Sequence, residues 1–150
     1  MPHAASAAAR IVTIAMRRAQ GRKSRTIGED RNTGRNVQTE SAFIAIADRV
    51  LAAIGAALDD AIAQGDSDAD WSIHEGILTL DCDDAGKVIV NRHVPNREIW
   101  VAAKSGGFHF RAHDGRWRDV RGNDELAAAL VRVLKAQARI AVRMPELPAN

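Results

Sequence analysis

The sequence predicts an α+β protein, a two-layer α-β-α sandwich in which an N-terminal and a C-terminal helix cover one face of an antiparallel sheet of about six strands. Residues 39–64 and 124–138 carry apolar side chains at the spacings of three and four that are typical of a helix face. Residues 70–120 instead alternate short β-prone runs with turn residues. Because no helical pattern separates two strands, we expect the sheet to be antiparallel, with its other face open to water.

The first predicted helix begins at Thr39 or Ser41, since either hydroxyl can serve as an N-cap. Gln64-Gly65 ends it, because glycine is a common residue just after a helix. Its apolar stripe contains Phe43, Ile46, Ala47, Val50, Leu51, Ile54, Leu58 and Ile62. This spacing predicts an amphipathic helix of about six turns.

Turn residues divide the next fifty positions into short strands. Tight turns are predicted at Glu75-Gly76 and Asp114-Gly115, and Pro95 interrupts the pairing between two further strands. The predicted strands are 71–74, 77–80, 87–91, 98–103, 107–112 and 116–120.

The second predicted helix has Asn123 as its N-cap and two acidic residues in its first turn. Its apolar face consists of Leu126, Leu130, Val133, Leu134 and Ala138. Pro145 and Pro148 then predict a loose C-terminal tail at residues 141–150.

Residues 1–38 are predicted to be a disordered basic extension, with eight Lys/Arg against two acids. A targeting peptide and a basic nucleic-acid arm are alternatives, and translation starting near Val37 would remove the segment altogether. Residues 39–140 then form the folded domain. Cys82 is the single cysteine, which excludes a disulfide framework and fits a reducing compartment such as the cytoplasm. No run of 18 apolar residues occurs, so we expect no membrane span.

Acidic residues are concentrated between residues 39 and 84, where eleven Asp/Glu accompany the single base Arg49. Carboxylates are the ligands that hard cations prefer. The candidate metal ligands form an acidic ridge, which we define as Asp59, Asp60, Asp66, Asp68 and Asp70, with Glu40 and Asp48 as outlying candidates. A solvated helix face is the alternative interpretation.

No nucleophile-and-base set and no Glu-x-x-His di-iron pattern is present, so we expect a protein that is not an enzyme. His74, His93, His109 and His113 are interpreted individually as ordinary residues. Arg111 has the same strand parity as His109 and His113, and its charge disfavours a metal there.

Ordered motifs from residue 39 to about 138 resemble the frataxin family, specifically its bacterial CyaY-like branch. They are LDD at 58–60, GDSDAD at 65–70, GILTL at 76–80, IVNR at 89–92, IWVAAKSGGFHF at 99–110 and DGRW at 114–117. The family has an α-β-α sandwich, as the element order also predicts. This sequence departs from the family at Ile44, where some relatives have a histidine, and at Gly55 and Ala56, where relatives often have an acidic pair. It also has two extra residues within 61–64.

The resemblance implies weak binding of iron, Fe2+ or Fe3+, on the acidic ridge. It implies that the protein regulates or supplies iron for iron–sulfur cluster assembly by docking on the cysteine desulfurase and the scaffold protein. Asn91, Arg92 and Trp100 are the implied partner-binding residues. Trp100 is either an exposed anchor on the open sheet face or a side chain packed under the helices.

A ferroxidase that oxidises Fe(II), with iron storage or detoxification as its role, is the alternative function. A nucleic-acid-binding module is disfavoured, because the basic segment lacks interleaved aromatic residues. We therefore expect neither nucleic acid nor membrane as a partner. We expect a monomer, with iron-dependent oligomers as the alternative.

Overall fold

The structure is a computed structural model that describes residues 39–65 and 67–150. The expectations for residues 1–38 and for Asp66 lie outside the described residues. The elements are helix α1 (Glu40–Gln64), strands β1 (Asp70–His74), β2 (Ile77–Asp81), β3 (Lys87–His93), β4 (Glu98–Ala103), β5 (Gly106–His113) and β6 (Arg116–Asp119), and helix α2 (Leu126–Val133). A 3-10 turn at Asp83–Ala85 precedes β3, and a π-helical turn at Leu134–Ala138 extends α2. The predicted α+β sandwich is confirmed.

Helix α1 begins where the hydroxyl of Thr39 accepts a hydrogen bond of 3.1 Å from the N–H of Ala42. This bond satisfies one of the free N–H groups of the first turn. By length and composition alone the helix could cross a membrane, but half of its most apolar stretch is buried. Its buried residues contain the predicted stripe from Phe43 to Leu58 and pack on the sheet.

The sheet is a meander in which β1 to β6 lie in chain order and each strand is antiparallel to the next. Glu75-Gly76 and Asp114-Gly115 both have positive φ, as two-residue hairpin turns that match strand twist require. Side chains alternate between two faces. The face under the helices carries Leu78, Leu80, Val88, Val90, Ile99, Val101, Phe110 and Trp117.

Strand β3 continues two residues beyond its predicted end. His93 pairs with Glu98 across the turn that contains Pro95. Because Pro95 lies within the turn, its missing N–H costs the ladder nothing. The pairing places His93 on the same face as Asn91, away from the helices.

Helix α2 starts later than predicted. Glu125, not Asn123, is its N-cap, and no side chain caps it. The carboxylate of Asp124 instead binds Arg132 at 2.7 Å, and that of Glu125 binds Arg116 of β6 at 2.8 Å. These acids therefore fasten the start of the helix to its own last turn and to the sheet.

The prediction of a loose tail at 141–150 is corrected by the packing of this segment. Residues 139–150 form neither helix nor strand, yet Ile140, Val142, Leu147 and Ala149 are buried in the common core. The indole of Trp117 also donates a hydrogen bond of 2.6 Å to the carbonyl of Pro148. The prolines prevent regular structure, but the apolar side chains between them still bury their surface.

Candidate functional site

Asp59 and Asp60 lie exposed near the end of α1. Asp59 accepts a hydrogen bond of 2.8 Å from the indole N–H of Trp71 on β1. A Cβ atom on Gly55, one helical turn earlier, would lie 2.4 Å from Cη2 of Trp71. The indole therefore occupies the space that a side chain at position 55 would need. Packing thus accounts for the absence of an acid there, which the sequence analysis noted as a departure from the family.

The remaining described carboxylates of the ridge are spread along the chain after α1. Asp68 lies exposed in the connection to β1, and Asp70 opens β1, where it pairs with Asp81 of β2. Asp81 lies 3.9 Å from the ammonium group of Lys87. Asp66 is outside the described residues.

No three Asp, Glu, His or Cys side chains in residues 39–65 and 67–150 are placed to hold one metal ion together. The described part of the ridge is therefore a row of separate, water-exposed carboxylates and not a closed coordination shell. Hard cations keep part of their water shell at such sites. The arrangement can attract a cation and release it again.

The two outlying candidates differ in their surroundings. Glu40 is exposed in the first turn of α1, where the helix dipole favours a negative charge. Asp48 forms an ion pair with Arg92 of β3. A cation at Asp48 would therefore have to displace a guanidinium group.

The structure separates Arg92 from the other two partner-binding candidates. Arg92 has the strand parity of Val88 and Val90, which lie in the core, and its side chain reaches Asp48 on the helix layer. Asn91 and Trp100 pair with each other and lie on the opposite, open face of the sheet.

Trp100 satisfies neither alternative from the sequence analysis. It lies outside the core under the helices, but only 3% of its surface is exposed. The imidazole of His93 stacks on one side with ring centroids 3.8 Å apart and 8° between planes. The imidazole of His109 stacks on the other side at 4.3 Å and 9°. Neighbouring side chains on the open face thus bury the indole.

A buried carboxylate completes this arrangement. Glu98 accepts a hydrogen bond of 2.7 Å from the indole N–H of Trp100 and another of 2.7 Å from Arg111. Nδ1 of His109 lies 3.6 Å from the same carboxylate. We call Asn91, His93, Glu98, Trp100, His109 and Arg111 the open-face cluster.

Burial lowers the pKa of His93 and the pKa of His109 below the ordinary value, because a charged imidazolium loses its water there. Glu98 opposes this effect at both rings without cancelling it. At neutral pH the two imidazoles are therefore neutral. The stack, which consists of the rings of His93, Trp100 and His109, then carries no charge of its own.

Interpreted singly from the sequence, His93 and His109 give no indication that both rings stack on Trp100. The strand register contains the information that predicts this association. Asn91, Trp100 and His109 are successive partners across β3, β4 and β5, so side chains at the same parity share one face. The missing information was that β3 extends to His93.

Cys82 lies between β2 and the 3-10 turn, and its surroundings do not activate its thiol. Burial raises its pKa, and the nearby carboxylates of Asp81 and Asp83 raise it further. The protonated thiol is a poor nucleophile and a poor metal ligand.

Comparison with known proteins gives a consistent family. The model of the family described as "Frataxin-like domain" matches residues 36–140. A protein of Ralstonia nicotianae named "Iron-sulfur cluster assembly protein CyaY" is 42% identical over 106 residues, 71% of this chain and 94% of the relative. A protein of the same name from Paraburkholderia phymatum is 45% identical over 100 residues, 67% of this chain and 91% of the relative.

Solved structures show the same fold. A frataxin from Psychromonas ingrahamii superposes with a TM-score of 0.64 at 28% identity, covering 72% of this chain and 99% of that one. A trimeric frataxin from the yeast Saccharomyces cerevisiae, complexed with ferrous iron, superposes with a TM-score of 0.55 at 22% identity, covering 82% of this chain and 97% of that one. From the sequence match and the shared architecture, this chain belongs to the frataxin-like family.

Proposed function

We propose that this protein binds iron weakly and serves iron–sulfur cluster assembly, regulating or supplying iron while docked on the cysteine desulfurase and its scaffold protein. One observation carries the proposal: the chain aligns with 94% of the length of a relative named for that assembly process. The exposed row of carboxylates supports the iron-binding part. The single cysteine, which has no partner for a disulfide within the chain, is consistent with the proposed cytoplasmic location.

Iron in this proposal is a cargo ion that the acidic ridge attracts. Asp60, Asp68 and Asp70 are exposed and form no ion pair with any described residue. Their mutual repulsion is relieved when a cation binds between or beside them. Oxygen ligands on an open surface give modest affinity, which suits an ion that must be passed on.

An Fe(II) titration under anaerobic conditions, followed by amide NMR, tests the iron site. Signals from residues 59–70 should shift or broaden first, and Asp60→Asn/Asp68→Asn/Asp70→Asn should weaken binding. Asp114→Asn is the matched control, since it removes an exposed carboxylate on the distant β5–β6 turn. Equal binding by the triple variant and the control would remove the acidic ridge from the proposal. Oxygen uptake in a separate aerobic experiment, in which Fe(II) is added to the protein in air-saturated buffer, would favour the ferroxidase alternative.

The acidic ridge also suits docking on a basic surface of the desulfurase. Opposite charges accelerate encounter, and salt screens them. Asp60→Lys/Asp68→Lys should slow association at low salt, and the difference from the unaltered protein should shrink as salt rises. We choose these two positions because they leave the bond between Asp59 and Trp71 intact. Undiminished association at low salt would contradict ridge docking.

The open face is the proposed contact for the scaffold protein. Because Trp100 is buried, a scaffold protein would first contact Asn91 and the two side chains that flank the indole, His93 and His109. Trp100→Ala should weaken scaffold binding through loss of the whole stack. Arg92→Ala should affect scaffold binding less, because Arg92 lies on the helix side and pairs with Asp48.

A further inference from the structure

The imidazole of His93 is held in its neutral form by its surroundings. Its Nδ1 accepts a hydrogen bond of 3.3 Å from the backbone N–H of Asn96, in the turn that joins β3 to β4. A backbone N–H can only donate, so the ring proton of the neutral imidazole must be on Nε2. Protonation would place a second N–H on Nδ1, directly facing the N–H of Asn96.

The charged groups around the stack come from three strands. Glu98 lies opposite His93 on β4, and Arg111 of β5 neutralises that carboxylate. Arg118 of β6 pairs with Arg111 on the same face. Asp119 and Arg121 act on His109 with opposite signs.

The remaining neighbours of His93 are a cation in the following turn and an apolar residue on β2. In the turn after β3, the guanidinium of Arg97 donates a hydrogen bond to the carbonyl of Val94. On the β2 side, the open-face residue opposite Asn91 is Ile77, which is uncharged. With neutral imidazoles, the charges of Glu98 and Arg111 balance, so a proton added to His93 gives the cluster a net positive charge.

We propose that His93 is a proton-operated cover on Trp100: protonation releases its ring from the stack and exposes one face of the indole. His93 as a residue is only 7% exposed, so a charged imidazole can regain water only by leaving its place. Its position at the end of β3, beside a turn, gives it room to leave.

His109 behaves differently on protonation. Its side chain is already 24% exposed, and its Nδ1 faces the carboxylate of Glu98 at 3.6 Å. A charged His109 can therefore be hydrated in place and gains an ion pair. It stays on its side of the indole, so His93 alone opens the stack.

The cover is closed at neutral pH and opens in mild acid, because burial lowers the pKa of His93 below 6.5. An exposed indole on the open face would offer a partner an aromatic anchor that the closed state withholds. This consequence rests on the proposed function of the open face. The cover itself is a property of the free chain.

The test uses the free protein labelled with 5-fluorotryptophan, with the Trp100 resonance assigned by Trp100→Phe. Ring signals of His93 and the Trp100 fluorine resonance are followed from pH 7.5 to pH 5. We expect His93 to titrate below pH 6.5 and the Trp100 resonance to shift with the same midpoint. Its H2O/D2O isotope shift, which reports solvent contact, should increase in the acid form. A Trp100 resonance that ignores the titration of His93 would overturn the proposal.

Three variants identify the proton involved. His93→Gln should abolish the Trp100 transition, whereas His113→Gln, the matched control on β5, should leave it intact. His109→Gln should also retain the transition, because it preserves the contact between His93 and Asn96. Loss of the transition in His109→Gln would assign it to His109 and overturn the proposal. None of these measurements involves a partner, so a failure to bind the scaffold would count only against the proposed function.

Discussion

Gly55 lies where α1 meets the first strand through the indole of Trp71. Replacing it with alanine places a methyl group 2.4 Å from Cη2 of that ring, so the ring must shift, and the shift strains its bond to Asp59. Overpacking of this kind costs about 1–3 kcal/mol, more than the roughly 1 kcal/mol by which alanine favours a helix over glycine. We expect Gly55→Ala to lower the free energy of unfolding, measured by urea denaturation.

Gly122→Ala is the control for this prediction. Gly122 has open space around the position of a Cβ atom, and its φ is not in the positive range. Alanine there should leave the stability unchanged or raise it slightly by restricting the unfolded chain. If Gly55→Ala is as stable as Gly122→Ala, the position of the Trp71 ring does not require the absence of a side chain at position 55.

At the scale of elements, the C-terminal segment functions as a packed strap. Leu147 is buried in the common core, while Arg143 in the same segment is exposed. Leu147→Ala should cost about 2 kcal/mol or more, as for other buried leucines, and Arg143→Ala should change stability by less than about 0.5 kcal/mol. Urea denaturation followed by tryptophan fluorescence, to which Trp117 beside Pro148 contributes, measures both. Equal stability of the two variants would restore the loose tail of the sequence prediction.

The elements differ in how far the sequence could predict them. Helix α1 and the six strands have strong periodicity and turn residues, so their order and their antiparallel pairing are predictable and confirmed. The strap shows no helical or strand periodicity in its sequence, because its prolines disfavour regular hydrogen bonding. Which of its side chains are buried depends on how they pack against the common core. The start of α2 was misplaced because Asp124 and Glu125 have partners on Arg132 and Arg116, a tertiary effect that overrides capping preference.

The candidate site was less predictable than the fold for a similar reason. Residue type alone selects the acidic ridge, but it does not reveal that Asp59 holds Trp71 or that Asp48 holds Arg92. The burial of Trp100 depends on three strands in register. A single tryptophan in a sequence carries no information about the side chains that stack on it.

At the scale of the whole molecule, buried neutral histidines make stability depend on pH. The folded pKa of His93 and that of His109 are lowered, while in the unfolded chain each returns toward 6.5. As pH falls through 6.5, the unfolded chain therefore binds protons that the folded protein does not. The free energy of unfolding should decrease in that interval, and the loss should level off below the folded pKa values.

Urea denaturation between pH 7.5 and pH 5.5 measures this dependence, since ordinary carboxylates titrate near pH 4, below the window. The double variant His93→Gln/His109→Gln should show a flatter dependence than the unaltered protein, whatever its stability at pH 7.5. His74→Gln removes an exposed imidazole on β1 and should keep the slope. The expected decrease in stability at lower pH follows from burial of the neutral rings. If Glu98 instead stabilised the imidazolium forms, the free energy of unfolding would rise as pH falls. A rise would therefore show that attraction to Glu98 outweighs burial at the two rings.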